Sequence, residues 1–237
     1  MIRHVIPILL LPSVSIAQNT CIHDFERAKE LHEDFVYRDH NITLYCKAIF
    51  EGKKITQPEG FTTSKYKNRE YTLEWEHVVP AQSFGQSFQE WQQGHPECVD
   101  SQGEAYAGRD CVEKVNKEFQ LMHADMYNLY PAIGSVNAQR SNYRFAMLPN
   151  VDSDFGSCPM KIDDRKVQPP EYARGRIART YLYMTETYPK FTLSDNQRKL
   201  MRAWDKEFPV SDWECKRAER IEKIQGNKNR FVRRGCD

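Results

Sequence analysis

Residues 75–80 read Trp-Glu-His-Val-Val-Pro. The segment from Tyr71 to Val79 predicts a strand, ended by Pro80, whose ring cannot donate to a ladder. Glu76 offers a carboxylate, a hard oxygen ligand suited to Mg²⁺. His77 offers an imidazole, the side chain whose ordinary pKa lies nearest neutrality, so it can accept a proton from water. Neighbours on a regular strand face opposite sides. The pair can therefore share one site only if the strand kinks or ends beside it.

Working outward, Asp24 to Tyr37 predicts a helix, because Phe25, Ala28, Leu31 and Phe35 recur at helical spacing. Asn41 to Phe50 alternates and predicts a strand. Lys65 to Glu70 is polar and reads as loop, and residues 85–111 read as a long loop of the kind that carries function. Val112 to Met126 predicts a helix. Pro131 suits the first turn of a short helix reaching about Arg140, with Ile133 and Asn137 on neighbouring parts of its surface. Pro170 to Tyr188 predicts a longer helix, and Ser194 caps the next, through Trp204 to Phe208. The expected class is α+β, a mostly helical single domain with a small antiparallel sheet.

Composition sets the context. Apolar residues make up 40% and charged residues 28% of 237, which supports a packed core and argues against disorder. Met1 to His4 is a short basic start, Val5 to Leu11 is apolar, and Ser15-Ile16-Ala17 carries small residues where a signal peptidase cuts. The expectation is a signal peptide over 1–17, a mature domain over 18–237, and a periplasmic or secreted product. No segment is long and apolar enough for a membrane span.

The seven cysteines lack the close pairs of a zinc site and, in an exported chain, read as disulfides. Cys98 and Cys111 flank a loop rich in Gly, Ser and Asp and form the best local pair; the other pairings stay open. Formal net charge is +1, and removing Arg3 with the leader brings Lys+Arg from 34 to 33 against 33 acids. A basic excess is thus missing, and any field for a polyanion must come from local clusters such as Arg174-Gly175-Arg176.

Three groups carry chemistry: Glu76-His77; Asn128-Leu129-Tyr130-Pro131 followed by Val136 to Asn142; and Gly108-Arg109-Asp110-Cys111. With Gly134-Ser135-Val136-Asn137, Arg140-Ser141-Asn142, Ala173 to Tyr181 and Lys223 to Asn227, in this order, the chain closely resembles the bacterial endonuclease I family of periplasmic or secreted nucleases. The resemblance implies a ββα-metal (His-Me finger) core. It implies Glu76 and Asn137 as ligands of one divalent metal, Mg²⁺ in the first instance, and His77 as general base. It also implies Arg109 as the phosphate-holding group. Asn128 and Glu74 are possible supports behind these groups. Arg140 is open to a structural or a phosphate-binding role.

The residue types suit the reaction. Phosphodiester hydrolysis needs an activated water, neutralisation of the phosphorane and help for the departing oxygen. Mg²⁺ takes few protein ligands, and Arg presents a planar fork to phosphate oxygens. The implied function is a metal-dependent, sequence-non-specific endonuclease on DNA and RNA, acting as a monomer and leaving 5′-phosphates. The rival class is an inactive extracellular nucleic-acid-binding protein with the same fold. The chain departs from the family pattern at Tyr127, Ala48 and Arg230. The cysteine differences imply one disulfide fewer, with Cys21 left over.

Overall fold

The computed structural model describes residues 18–236, so the expected leader lies outside the described residues. The chain runs α1 (Phe25–Leu31), β1 (Ile49–Glu51), β2 (Lys54–Thr56), β3 (Leu73–His77), α2 (Ala81–Gly85), α3 (Gln89–Gln93), α4 (Arg109–Val115), α5 (Lys117–His123) and β4 (Leu129–Ile133). It continues through α6 (Gly134–Arg140), β5 (Arg144–Phe145), β6 (Lys161–Asp163), β7 (Lys166–Gln168), α7 (Glu171–Thr187), α8 (Asp195–Glu207), α9 (Asp212–Gln225) and α10 (Arg230–Arg233). Helices outweigh the short strands, in an α+β arrangement. Among the described residues, no helix is long and apolar enough to cross a membrane.

The site is built on β3 and β4, an antiparallel pair in which Trp75 lies opposite Pro131 and His77 opposite Leu129. The expectation of a helix starting at Pro131 is thus corrected: Pro131 is mid-strand, and the helix starts at Gly134. A two-stranded sheet has only edge strands, where a residue without an N–H is tolerated. Ile133 accordingly closes β4 and does not share a helix surface with Asn137.

Strand alternation sorts the side chains of β3. Trp75 stacks on His32 at 4.7 Å, meets Tyr37 edge-on, and donates its indole N–H to Glu33. Glu74 and Glu76 take the opposite side, toward α6, and contact Asn137 and Arg140 there.

Other expectations shift in detail. The helix from Asp24 is regular to Leu31 and then widens into a π-type turn, His32–Val36. The segment 41–50 is mostly turns, and only Ile49–Glu51 joins a strand. The segment folds back on itself, with Ile42 bridging Ile49, and Leu44, Tyr45 and Cys46 are buried in succession by tertiary packing. The 67–69 stretch forms a single 3₁₀ turn. Residues 85–111 contain α3 and the start of α4. The next helix breaks at Asn116, whose side chain caps α5 through the Phe119 N–H. The third sheet, β5-β7-β6, combines one parallel and one antiparallel pair, so the sheets are not wholly antiparallel.

The C-terminal helices brace the site from behind. The guanidinium of Arg217 in α9 is buried and donates to the carbonyls of Met126 and Leu129 and to the Tyr37 and Tyr130 hydroxyls. Gln225 accepts from the Met126 N–H and donates to Asp125, while Tyr183 and Tyr188 donate to the other Asp125 oxygen. The matched words around Gln225 and Asn227 therefore hold the turn before β4. In α7, a Cβ on Gly175 would stand 2.7 Å from the Phe208 carbonyl. Glycine lets that chain pass close to the helix. Beside it, Arg179 makes a two-point pair with Glu214, with both bonds at 2.8 Å.

Three disulfides form, Cys46–Cys158, Cys98–Cys111 and Cys215–Cys236, leaving Cys21 free and exposed. The local pair and the odd residue are as expected. The Cys46–Cys158 bridge closes a loop of 112 residues, and constraining so long a loop in the unfolded chain stabilises by about 2–5 kcal/mol. Replacing both cysteines by alanine is expected to lower the unfolding free energy by that amount in urea titrations. An unchanged midpoint and slope would refute it.

Candidate active site

Strand β3 ends at His77, and both Glu76 and His77 reach one cavity of about 330 Å³ there. Its lining includes Glu76, His77, Arg109, Asn137 and Arg140. Of the two ways for neighbours to share a site, the strand end is the one used. Arg140 stabilises it: its guanidinium donates to the carbonyls of His77 (3.0 Å) and Val78 (2.6 Å) and lies 3.1 Å from Glu76. Asn128, on the neighbouring turn, accepts from the Val79 N–H and donates to the Val79 carbonyl. Its buried amide thus extends the pairing one step beyond β3.

His77 keeps 9% of its surface, and Glu76 3%. The Nε2 of His77 lies 2.8 Å from the His123 carbonyl. A carbonyl only accepts, so Nε2 carries the proton and Nδ1 keeps the lone pair. Burial, with His123, Arg109 and Arg140 nearby, holds the imidazole well below its ordinary pKa of 6.5. The ring is therefore neutral, with Nδ1 able to accept a proton. Phe25 and His123 pack on it, the latter in parallel at 4.5 Å.

Glu76 is shared differently. One oxygen, Oε1, accepts from the Tyr45 hydroxyl at 2.7 Å and faces Arg140. Oε2 has no hydrogen-bond partner among the described residues. Burial raises the pKa of this carboxyl, and Arg140 and Tyr45 oppose that. Asn137 donates its Nδ2 to Glu74 at 2.9 Å. Glu74 is gripped by Arg69 through two bonds, the first at 2.6 Å. That chain fixes the amide so that Asn137 Oδ1 is left free. Gly134 allows the approach, since a Cβ there would stand 2.7 Å from Glu74 and from the Arg69 carbonyl.

Arg109 is the first residue of α4 and is exposed, two positions before the bridged Cys111. It has no ion-pair partner among the described residues. Arg140 differs, being fully buried and committed to backbone carbonyls. Among the described residues, no three His, Cys, Asp or Glu side chains gather to hold a metal. Glu76 and Asn137 both line the cavity, and Glu76 Oε2 and Asn137 Oδ1 have no hydrogen-bond partner among the described residues. That donor set fits a hydrated Mg²⁺, which keeps most of its waters.

The endonuclease I family model matches residues 33–236. The chain belongs to the endonuclease I family. Among the members it resembles, an extracellular deoxyribonuclease of Aeromonas hydrophila is 42% identical over 219 residues, covering 89% of each chain. A periplasmic deoxyribonuclease of the same organism is 39% identical over 245 residues, covering 97% of each. Endonuclease-1 of Buchnera aphidicola subsp. Acyrthosiphon pisum is 42% identical over 196 residues, covering 81% of this chain and 72% of that protein.

Tyr45, Arg69, His123 and Phe25 were missed from sequence. For His123 a signal existed: Phe119, Met122 and His123 continue one inward-facing stripe of α5. Tyr45 and Arg69 reach their partners through tertiary packing alone. Two outcomes follow. In an NMR titration the His77 ring should change charge at a midpoint below 6.5; a midpoint at or above it contradicts the burial argument. Changing Asn128→Ala should destabilise by about 1–3 kcal/mol through the unpaired Val79 groups, read by urea unfolding.

Proposed function

We propose that this chain is a secreted or periplasmic, divalent-metal-dependent, sequence-non-specific endonuclease that hydrolyses DNA and RNA to 5′-phosphate oligonucleotides. The observation that carries the reading is one cavity lined by the His77 imidazole, the Glu76 carboxylate, the Asn137 amide and the Arg109 guanidinium, with His77 Nε2 held by the His123 carbonyl. The names of its relatives, extracellular and periplasmic deoxyribonucleases, support the substrate class and the compartment. Residues 1–17 would be removed as a leader, and 18–237 would form one monomeric nuclease domain. Strands β3 and β4 with α6 would be its ββα-metal core.

Each residue has a separate task. Glu76 Oε2 and Asn137 Oδ1 would hold the metal. When bound, such an ion supplies Lewis-acid polarisation of the phosphoryl oxygen and charge for the departing 3′ oxygen. His77 Nδ1 takes the proton of the attacking water, while Nε2 stays bonded to the His123 carbonyl. Imidazolium is the strained form here, so the ring returns its proton to solvent readily. Arg109 clamps the phosphate with its fork. Glu74 and Arg69 keep the Asn137 amide from flipping, and Tyr45 keeps Glu76 from rotating. All these contacts address phosphate, which DNA and RNA share, and none reads a base edge.

Incubation with supercoiled plasmid and Mg²⁺ should give nicked and then linear DNA, and EDTA should stop it. Intact plasmid at high protein concentration would instead indicate the inactive binding protein. His77→Ala should lower turnover by about 10²–10⁴-fold, the usual size of general-base catalysis, with the circular dichroism spectrum and duplex binding retained. Cleavage by this variant at the normal rate would exclude His77 as base. Asn137→Ala should weaken Mg²⁺ binding in calorimetry; an unchanged affinity removes it from the ligand set.

A further inference from the structure

Beside the catalytic cavity lies a second, open one of about 380 Å³, lined by Asn142, Tyr143, Arg144, Asp164 and Arg165. Asn142 lines both cavities and donates its Nδ2 to Gln82 on the catalytic side. The two hollows therefore adjoin at Asn142. Their walls are also linked through the chain, since Arg144 follows the end of α6 by only four residues.

Local structure fixes where the cations stand. In β5 the pattern is one residue out and one in. Phe145 is fully buried, with the Arg140 guanidinium 4.8 Å from its ring, so Arg144 is turned outward. Strand β7 sets Lys166 beside Arg144 in parallel register. The turn between β6 and β7 holds Asp164 at φ 41° and Arg165 at φ 57°. Such a turn ordinarily takes Asn-Gly, because an L side chain is strained in the left-handed region. Here the second place holds an arginine instead of glycine. Strain kept at a surface position points to a use for the side chain.

Arg144, Arg165 and Asp164 line the hollow; Asp164 is occupied by Lys166 at 2.9 Å, and Asp163 lies opposite Lys166 in register. Arg144 and Arg165 have no carboxylate or hydrogen-bond partner among the described residues. The hollow is shallow and shared with solvent, which suits a strand passing over it and not an enclosed small anion. In a protein with no overall basic excess, the field for a polyanion comes from local groups of this kind.

We propose that Arg144 and Arg165 form a subsite for a backbone phosphate flanking the scissile one, on the same nucleic-acid strand. This rests on reading the first cavity as the scissile-phosphate site. The subsite adds affinity that does not depend on sequence, and it favours longer substrates over short ones.

The test uses the full mature chain carrying Arg144→Ala with Arg165→Gly. Glycine relieves the left-handed turn, so the thermal midpoint should not fall on account of residue 165. Binding of a duplex of about 20 base pairs is measured across a salt series, in a His77→Ala background. The plot of log affinity against log salt should flatten by about one, as expected when one phosphate contact is lost. In the active background, kcat/KM on the duplex should fall about three- to tenfold, mainly through KM. The ratio of that value to kcat/KM on a single-phosphodiester nitrophenyl ester should fall by the same factor. Unchanged affinity, salt slope and ratio overturn the subsite. An equal loss on the small ester also overturns it, because the residues would then act on the catalytic cavity itself. If the unmodified protein cuts neither plasmid nor ester, the proposed function fails first and takes the subsite with it. The Arg165→Gly variant alone, folded and with an undiminished salt slope, would remove Arg165 from the proposal.

Discussion

A buried guanidinium decides what the end of strand β3 can do. Regular alternation would send Glu76 and His77 to opposite sides and keep them apart. Arg140 binds the backbone of the second, the backbone of Val78 and the carboxylate of the first. It holds the strand end in the one place where both side chains border the same space. A charge in that position would be prohibitive alone. The carbonyls and Glu76 compensate it, and in return it draws Glu76 toward its ionised form. Removing either partner would leave the other charged and buried, the costly half of a broken pair. The site and the local fold therefore stand or fall together.

A second layer keeps the amide and carboxylate oriented. Arg69 grips Glu74, Glu74 holds the Asn137 amide, and Tyr45 holds Glu76. None of these three outer groups needs to touch a substrate. Their effect is that Glu76 and Asn137, which line the cavity, are held in one orientation, so little reorganisation is left when a ligand arrives. The cost of burying so many polar groups is offset by nearly complete pairing, with Arg217 and Asp125 doing the same for the turn behind β4.

Much of this was legible in the linear text, for identifiable reasons. Strand β3 was readable because Pro80 follows it, and α7 and α8 because Pro170 and Ser194 mark their starts. Pro131 misled, because a proline tolerated on a helix start is equally tolerated on an edge strand. The alternation of residues 42–50 misled as well, since the segment turns back on itself and buries residues 43–46 in succession. At the site, Glu76, His77, Asn137 and Arg109 come together in one cavity, and Cys98–Cys111 sits beside the last. Local text could not reveal that His123 would fix the His77 tautomer with a main-chain carbonyl, a group every residue carries. Nor could it settle Arg140, whose role follows from complete burial.

The long bridge between Cys46 and Cys158 has a further consequence, for the order of assembly. A chain emerges from its amino end, so Cys21 and Cys46 meet each other long before Cys158 exists. Cys98 and Cys111 are adjacent in time as well as in sequence, and so are Cys215 and Cys236. Those two can close as they appear. Cys46 must instead remain reduced, or escape a temporary partner by thiol exchange, until Cys158 has followed it into the oxidising compartment. Cys21 is its first available neighbour and ends as the unpaired thiol. Correct maturation of this protein is thus a problem of timing, in which one residue has to wait.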